Sequence, residues 1–328
     1  MNVNRPYETA YAGMATFCRR PLVLDPAELT GVDVAILGAP IDEYVTYRPG
    51  ARFGPRAIRQ ADYLGVMDQW WAMDVGLDPF DILNVVDHGD LAPIPGYPDE
   101  SHVELRKMVT AVCAAGAVPI VLGGDHSIAH PDVGAVADHF SPSAVGLIHF
   151  DSHADDAWEE GYRNHGTPLR FLVDEGSVKG ENIVQVGLRG YWPPQSDFEW
   201  ARGQGFRWHL MDEIYERGID DVITDVIEEM SGLEHVFLSV DIDVVDPGSA
   251  PGTGTPEPGG LLPRELLKTV RRLAKALPIS GMEVVEVAPP YDSADVTALL
   301  ANRCVLEALV GMSLRRTGRE PVREPSNT

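Results

Sequence analysis

144-AVGLIHFDSHADDAWEEGYRNHGTP-168 begins as an apolar run and ends among ionisable groups. The run AVGLIHF has strand length and is apolar almost throughout, as expected of a strand covered on both faces. Asp151, His153 and Asp155 follow at once with i, i+2, i+4 spacing, and His165 comes a short loop later. If the extended backbone continues that far, this spacing aims all three side chains to one side. Ionisable groups crowded beside a buried strand are costly unless something compensates them, and a bound metal would do so.

Similar short runs recur outward from this one: 32-VDVAILG-38, 82-ILNVVD-87, 118-VPIVLGG-124, 183-IVQVGLR-189, 235-HVFLSVDID-243 and 279-ISGMEVVEV-287. Between them lie helix-like segments such as 99-DESHVELRKMVTAVCAAG-116, 220-DDVITDVIEEM-230 and 263-PRELLKTVRRLAKAL-277. Pro263 suits a first helical position, and the basic residues further along suit a helix. Strand–helix alternation throughout predicts a single-domain α/β fold, a three-layer α/β/α arrangement around a mainly parallel sheet. The Pro/Gly-rich stretch 247–260 follows directly on a strand ending in two aspartates, so it reads as an active-site loop rather than a linker.

Composition narrows the partners. The formal charge of −24 opposes binding to nucleic acid or to an anionic membrane surface, because the phosphate term would be repulsive. No apolar run approaches the roughly 20 residues of a membrane span, and the first residues lack the pattern of a signal peptide. Three widely spaced cysteines, with no CxxC, fit a reducing cytoplasm and give no thiolate zinc site.

In an open α/β sheet, ligands bind beyond the carboxyl ends of the strands. Three such ends carry acids or imidazoles: 123-GGDHS-127, 151-DSHAD-155 and 241-DID-243. Together they offer His126, Asp151, His153, Asp155, Asp241 and Asp243. One divalent ion rarely needs six ligands of this kind, whereas a pair does, and four carboxylates balance the four charges of two divalent ions. With no thiolates the set favours manganese, with nickel or cobalt as alternatives. These residues predict a two-metal hydrolase. A metallophosphatase would also carry a GNHD-type segment, and the sequence has none.

GGDHS, FDSHAD (150–155), NHGTP (164–168), SVDIDVVDP (239–247), APGTGTPEPGG (250–260) and MEVVEVAPPYD (282–292), in this order, closely resemble the ureohydrolase family of arginases, agmatinases and guanidino-acid hydrolases. The segments 13-GMATFCRRP-21 and 47-YRPGARFGPRAIR-59 resemble the agmatinase branch, and the likeness covers about residues 10–312. It implies an arginase-like fold with an about eight-stranded sheet, an N-terminal arm over 1–20 and a catalytic domain over 21–315; the remaining 316–328 is expected to be a disordered tail from the composition of 318-GREPVREPSNT-328. It also implies two divalent ions per subunit. His126, Asp151, Asp155 and Asp241 would serve one metal, Asp151 and Asp241 bridging, and His153 with Asp243 would complete the other. His165 resembles the family's mobile proton carrier, and Glu286 the acid that grips the guanidinium. Ser152 stands where alanine is more usual.

The implied reaction turns a guanidino compound into urea and an amine. Agmatine is the default for this branch. A guanidino acid such as 4-guanidinobutyrate or 3-guanidinopropionate is the next candidate, and guanidine, an alkylated guanidine or a biguanide, with nickel, the third. In the loop 156-DAWEEGYRN-164, Trp158 and Tyr162 are candidates to close the pocket, Glu159 or Glu160 to hold a cationic tail and Arg163 to hold a carboxylate. Relatives are commonly trimers or hexamers. A single-zinc deacetylase of the same fold and a subunit of a mixed oligomer with a homologous partner are the alternatives of a different class.

Overall fold

The structure, a computed structural model, describes residues 10–64, 69–158 and 160–320. Eight strands form one sheet: β1 (Val34–Ala39), β2 (Val85–Asp90), β3 (Val118–Gly123), β4 (Val145–Phe150), β5 (Ile183–Val186), β6 (Arg207–His209), β7 (His235–Asp241) and β8 (Ile279–Val285). Their order across the sheet is β2-β1-β3-β8-β7-β4-β5-β6, and every pairing is parallel. Each of the seven apolar runs forms a strand. The eighth, β6, has only three residues at the edge of the sheet, too few to show a pattern in sequence.

Alternate side chains of the strands enter two apolar layers. Val34 and Ile36 pack on one side with Val222, Val226, Leu266 and Leu309; Ala35 and Leu37 pack on the other with Leu105, Val109 and Val133. Fully burying each such side chain stabilises the fold by roughly 1.5–3 kcal/mol, which explains why central strands read as unbroken apolar runs. The helices Pro98–Ala114, Ile219–Met230 and Pro263–Ala276 lie where the sequence places them. Pro263 takes the first turn, and the Glu265 carboxylate accepts the Leu262 N–H at 2.8 Å. The helix Val296–Thr317 is long and apolar enough to cross a membrane, but 72% of its most apolar window is buried inside the fold. It carries the chain two residues past the expected start of the tail, and residues 321–328 lie outside the described ones. At the other end, Phe17 is buried and its N–H donates to Asp87 Oδ2 at 2.7 Å, which ties the expected arm to β2.

Strands β3, β8, β7 and β4 are consecutive in the sheet, and their carboxyl ends carry the charged motifs.

Candidate metal centre

The charged side chains converge by turns rather than by continued strand. β4 stops at Phe150 and β7 at Asp241, with a tight helical turn over Ile242–Val244. This corrects the expectation of extended backbone through Asp155. At all three strand ends an aspartate accepts the N–H two residues on: Asp125 Oδ1 from Ser127 (3.1 Å), Asp151 Oδ1 from His153 (2.6 Å) and Asp241 Oδ1 from Asp243 (2.8 Å). Such local turns compete with the ladder and end it. In Asp151 and Asp241 they occupy one carboxylate oxygen and leave the second to face the centre. Gly124 lets the β3 end lie against the loop after β1, since a Cβ there would fall 2.1 Å from the Ile41 carbonyl oxygen.

His126 Nδ1 stands 2.9 Å from Asp151 Oδ2, 2.9 Å from Asp155 Oδ2 and 3.3 Å from Asp241 Oδ2. His153 Nδ1 lies 3.2 Å from Asp243 Oδ2 and 3.4 Å from Asp151 Oδ1. Ligand-type atoms within 4.8 Å of one another form two groups, His126–His149–Asp151–Asp155 and Asp151–His153–Asp243, which share Asp151. The Ser152 hydroxyl holds Asp243 Oδ1 at 2.7 Å. Burial opposes charge on both imidazoles, yet the surrounding carboxylates raise the pKa of His126 and His153 well above the usual value. Among the described residues, His126 Nδ1 and Asp151 Oδ2 are buried without a hydrogen bond. Unpaired buried polar atoms cost about 1–3 kcal/mol each, and this all-nitrogen-and-oxygen donor set is one that a divalent cation would satisfy.

Beside the cluster, Glu286 Oε1 accepts the His126 N–H and meets His165 Nδ1, both at 2.9 Å, while Oε2 is buried and unpaired. Glu286 and Asp155 sit at φ 62° and 50°, a left-handed conformation uncommon for such residues. Thr46 N–H reaches His165 Nε2 at 3.1 Å. A backbone N–H can only donate, so Nε2 keeps its lone pair here and Nδ1 carries the proton toward Glu286. Burial lowers the pKa of His165, but Glu286, Asp125 and Asp155 outweigh it and raise the value to about 9. The Thr46 hydroxyl, 2.7 Å from the same Nε2, can donate to the neutral ring or accept from the protonated one, so Thr46 can hold either protonation state.

A cavity of about 240 Å3 opens onto these groups, lined by Thr46, His153, Asp155, Asn164, His165, Gly166, Trp192, Asp241 and Thr255. No lysine or arginine lines it among the described residues. The loop expected to meet the tail stands aside. Trp158 and Tyr162 are 50% and 72% exposed and line no part of it. Arg163 bonds Glu175 at 3.0 Å, lies over the Phe171 ring at 4.2 Å and lines a separate cleft with His102 and His130. Those partners hold its guanidinium away from any tail carboxylate in the cavity. Glu159 lies outside the described residues. Three of the basic residues of 48–59 are likewise engaged: Arg52 with Asp42, Arg59 with Asp87 and Asp90, and Arg48 over the rings of Tyr47 and Tyr291.

The sequence pattern of the arginase family matches residues 32–311. The chain belongs to the arginase family. It is 41% identical over 303 residues to the proclavaminate amidinohydrolase of Streptomyces clavuligerus, covering 91% of this chain and 93% of that one. It is also 40% identical to the mitochondrial agmatinase of Gallus gallus (90% and 85% covered) and 38% identical to the guanidinobutyrase of Pseudomonas aeruginosa (91% and 92%). The solved proclavaminate amidinohydrolase structure superposes with a TM-score of 0.86 at 38% identity, covering 94% of this chain and all of that one.

Within this arginase-family site, sequence reasoning missed His149, Trp192, Thr46 and Thr255. His149 is within the apolar run of β4 and reads there as core. Trp192 packs 2.9 Å from where a Gly166 Cβ would sit and meets the His153 ring edge-on at 6.0 Å. Only the fold brings these segments together.

Proposed function

We propose that the protein is a two-metal amidinohydrolase that cleaves a guanidino compound to urea and an amine. His126, Asp151, Asp155 and Asp241 would hold one divalent ion and His153 with Asp243 the other, with Asp151 and Asp241 shared. When bound, such a pair lowers the pKa of a shared water and supplies hydroxide near neutrality. The observation that carries the reading is two ligand groups joined at Asp151, with a paired carboxylate and imidazole alongside.

The chain's own residues supply orientation and proton movement. Glu286 Oε2, free and buried, accepts N–H bonds from the planar guanidinium and fixes its face toward the cluster. His165 carries a proton at Nε2, which the Thr46 hydroxyl can hold in place, to the departing amine, which leaves only when protonated. Trp192 forms a wall of the cavity and excludes water from the tail side.

Agmatine is the leading substrate. The relatives named for agmatine and for guanidinobutyrate match almost equally well, but a cavity with no lysine or arginine among the described residues, in a chain of charge −24, suits a cationic tail better than a carboxylate. Manganese is the leading metal, with nickel the alternative. Three buried free cysteines suit a reducing cytoplasm, and we assign a homo-trimer or homo-hexamer, measurable by light scattering.

The test is urea release by protein loaded separately with Mn2+ and Ni2+. The panel holds agmatine, 4-guanidinobutyrate, 3-guanidinopropionate, arginine, guanidine and alkylated guanidines. Urea from agmatine is expected. Protein that holds two ions per chain and yields no urea from the whole panel would sink the reading.

A further inference from the structure

We infer that His149 is a positioning residue for Asp151, locked in a single tautomer by a relay that runs from Trp208 through Gln185. The inference rests on the two-metal reading for its consequence but not for its geometry. His149, Gln185 and Trp208 are register partners on the adjacent parallel strands β4, β5 and β6. In parallel strands such partners face the same side, so a row of three polar side chains crosses the sheet beside the metal cluster.

The direction of every hydrogen bond in the row follows from its first member. An indole N–H can only donate, and Trp208 Nε1 lies 2.7 Å from Gln185 Oε1. The amide oxygen is thereby fixed, and the amide nitrogen faces the Ala154 carbonyl oxygen at 2.7 Å and His149 Nδ1 at 3.1 Å. An amide N–H can only donate as well. His149 Nδ1 must therefore present a lone pair, and the neutral ring carries its proton on Nε2. That nitrogen lies 3.2 Å from Asp151 Oδ2, and neither atom completes a hydrogen bond among the described residues, so the contact is electrostatic. His149 and Gln185 are both fully buried, so solvent does not scramble the arrangement.

This relay settles a choice that spacing alone leaves open. His149 has ligand spacing to His126, Asp151 and Asp155 and its ring stacks on His126 at 4.9 Å. A ring nitrogen that carries a proton cannot ligate a metal. The relay thus removes His149 from the ligand set and assigns it to Asp151. With Oδ1 held by the His153 N–H and Oδ2 faced by His149, the Asp151 carboxylate has one orientation, in which it meets both ligand groups.

The experiment is long-range 1H–15N spectroscopy of the full chain with 15N-labelled histidine, metal-free and then loaded with diamagnetic Zn2+. His149 is expected with Nε2 protonated and Nδ1 bare in both states. A proton on Nδ1, or loss of the Nε2 proton on loading, overturns the proposal, the second outcome making His149 a ligand. Gln185→Glu replaces the donor with an acceptor and is expected to move the proton to Nδ1 and weaken metal binding by about 10–100-fold in calorimetry, the usual effect of losing a ligand's partner. Trp208→Phe, which leaves the strands intact and frees the amide, is expected to lie between. A tautomer that moves in Gln185→Glu with unchanged metal affinity also overturns the positioning role. The metal-free spectrum needs no substrate, so a chain that shows the expected tautomer but releases no urea counts against the proposed function alone.

Discussion

The floor and the rim of the cavity are built in opposite ways. On the floor, Asp151, Asp241 and Asp243 sit at the ends of central strands, at most 2% exposed, and each accepts a hydrogen bond from a backbone N–H or a neighbouring hydroxyl. In the loop expected to form the rim, Trp158 and Tyr162 are half or more exposed and line no part of the cavity, and Arg163 is bonded to groups outside it. Strand ends are positioned by the whole sheet, whereas the loop is positioned by a few surface contacts. The comparison teaches that the reaction is a property of the sheet, and that tail selection belongs to whichever side chains the sheet's other loops bring over it.

The sharpest way to break this comparison is on the floor. Asp241→Ala removes a carboxylate that faces His126 and caps Asp243. Turnover is expected to fall more than about 10^3-fold with loss of bound metal, beyond the 10–100-fold of residues one step removed. Full activity with both ions in place by elemental analysis would remove Asp241 from the centre. His165→Ala comes next, with a fall of about 10^2–10^4-fold while metal content stays at the wild-type level. An unchanged rate would return His165 to a bracing role between Thr46 and Glu286.

A third expectation concerns stability rather than rate, at the back of the same loops. His102 is buried, its Nε2 3.0 Å from the Ser127 hydroxyl and its ring 5.1 Å from that of Tyr44. Burial, with His130 and Arg163 adding to it and Asp99 opposing, lowers its pKa from 6.5 to about 4. The unfolded chain then takes up this proton first on acidification. The contribution is fully present above pH 6.5 and is lost as the pH falls toward 4, a change on the order of 3 kcal/mol. His102→Gln should therefore lose less stability than the parent between pH 7.5 and 4.5 in denaturant titrations. Parallel losses in the two proteins would show that His102 does not drive the acid limb.

The floor was legible in the sequence because each of its parts is local. An apolar run gives a strand, and Asp-x-His or Asp-x-Asp directly after it gives a turn with one free carboxylate oxygen. Even so, extended backbone was the wrong reason for convergence at Asp155, whose left-handed φ bends the chain instead. What stayed hidden depends on register between distant segments. His149 reads as one polar residue in an apolar strand until β5 and β6 place Gln185 and Trp208 beside it. Trp192 reads as a loop aromatic until the fold sets it against Gly166.

The smallest effects should sharpen the contrast at the rim itself, where two residues of similar prominence in sequence differ in placement. Trp192 lines the cavity and meets His153, so Trp192→Ala opens the tail side. Because a half-buried aromatic wall contributes about 1 kcal/mol or somewhat more of packing and water exclusion, KM for the preferred substrate is expected to rise about tenfold and discrimination among tails to relax. Arg163 is spent on Glu175 and Phe171 in a different cleft. Arg163→Ala should change kcat/KM for agmatine and for 4-guanidinobutyrate by less than about threefold, because a partly exposed ion pair is worth about 1 kcal/mol or less. A selective loss with 4-guanidinobutyrate would mean that the loop swings inward when an acid is bound. Tail choice would then be made by that movement rather than by the fixed wall at Trp192.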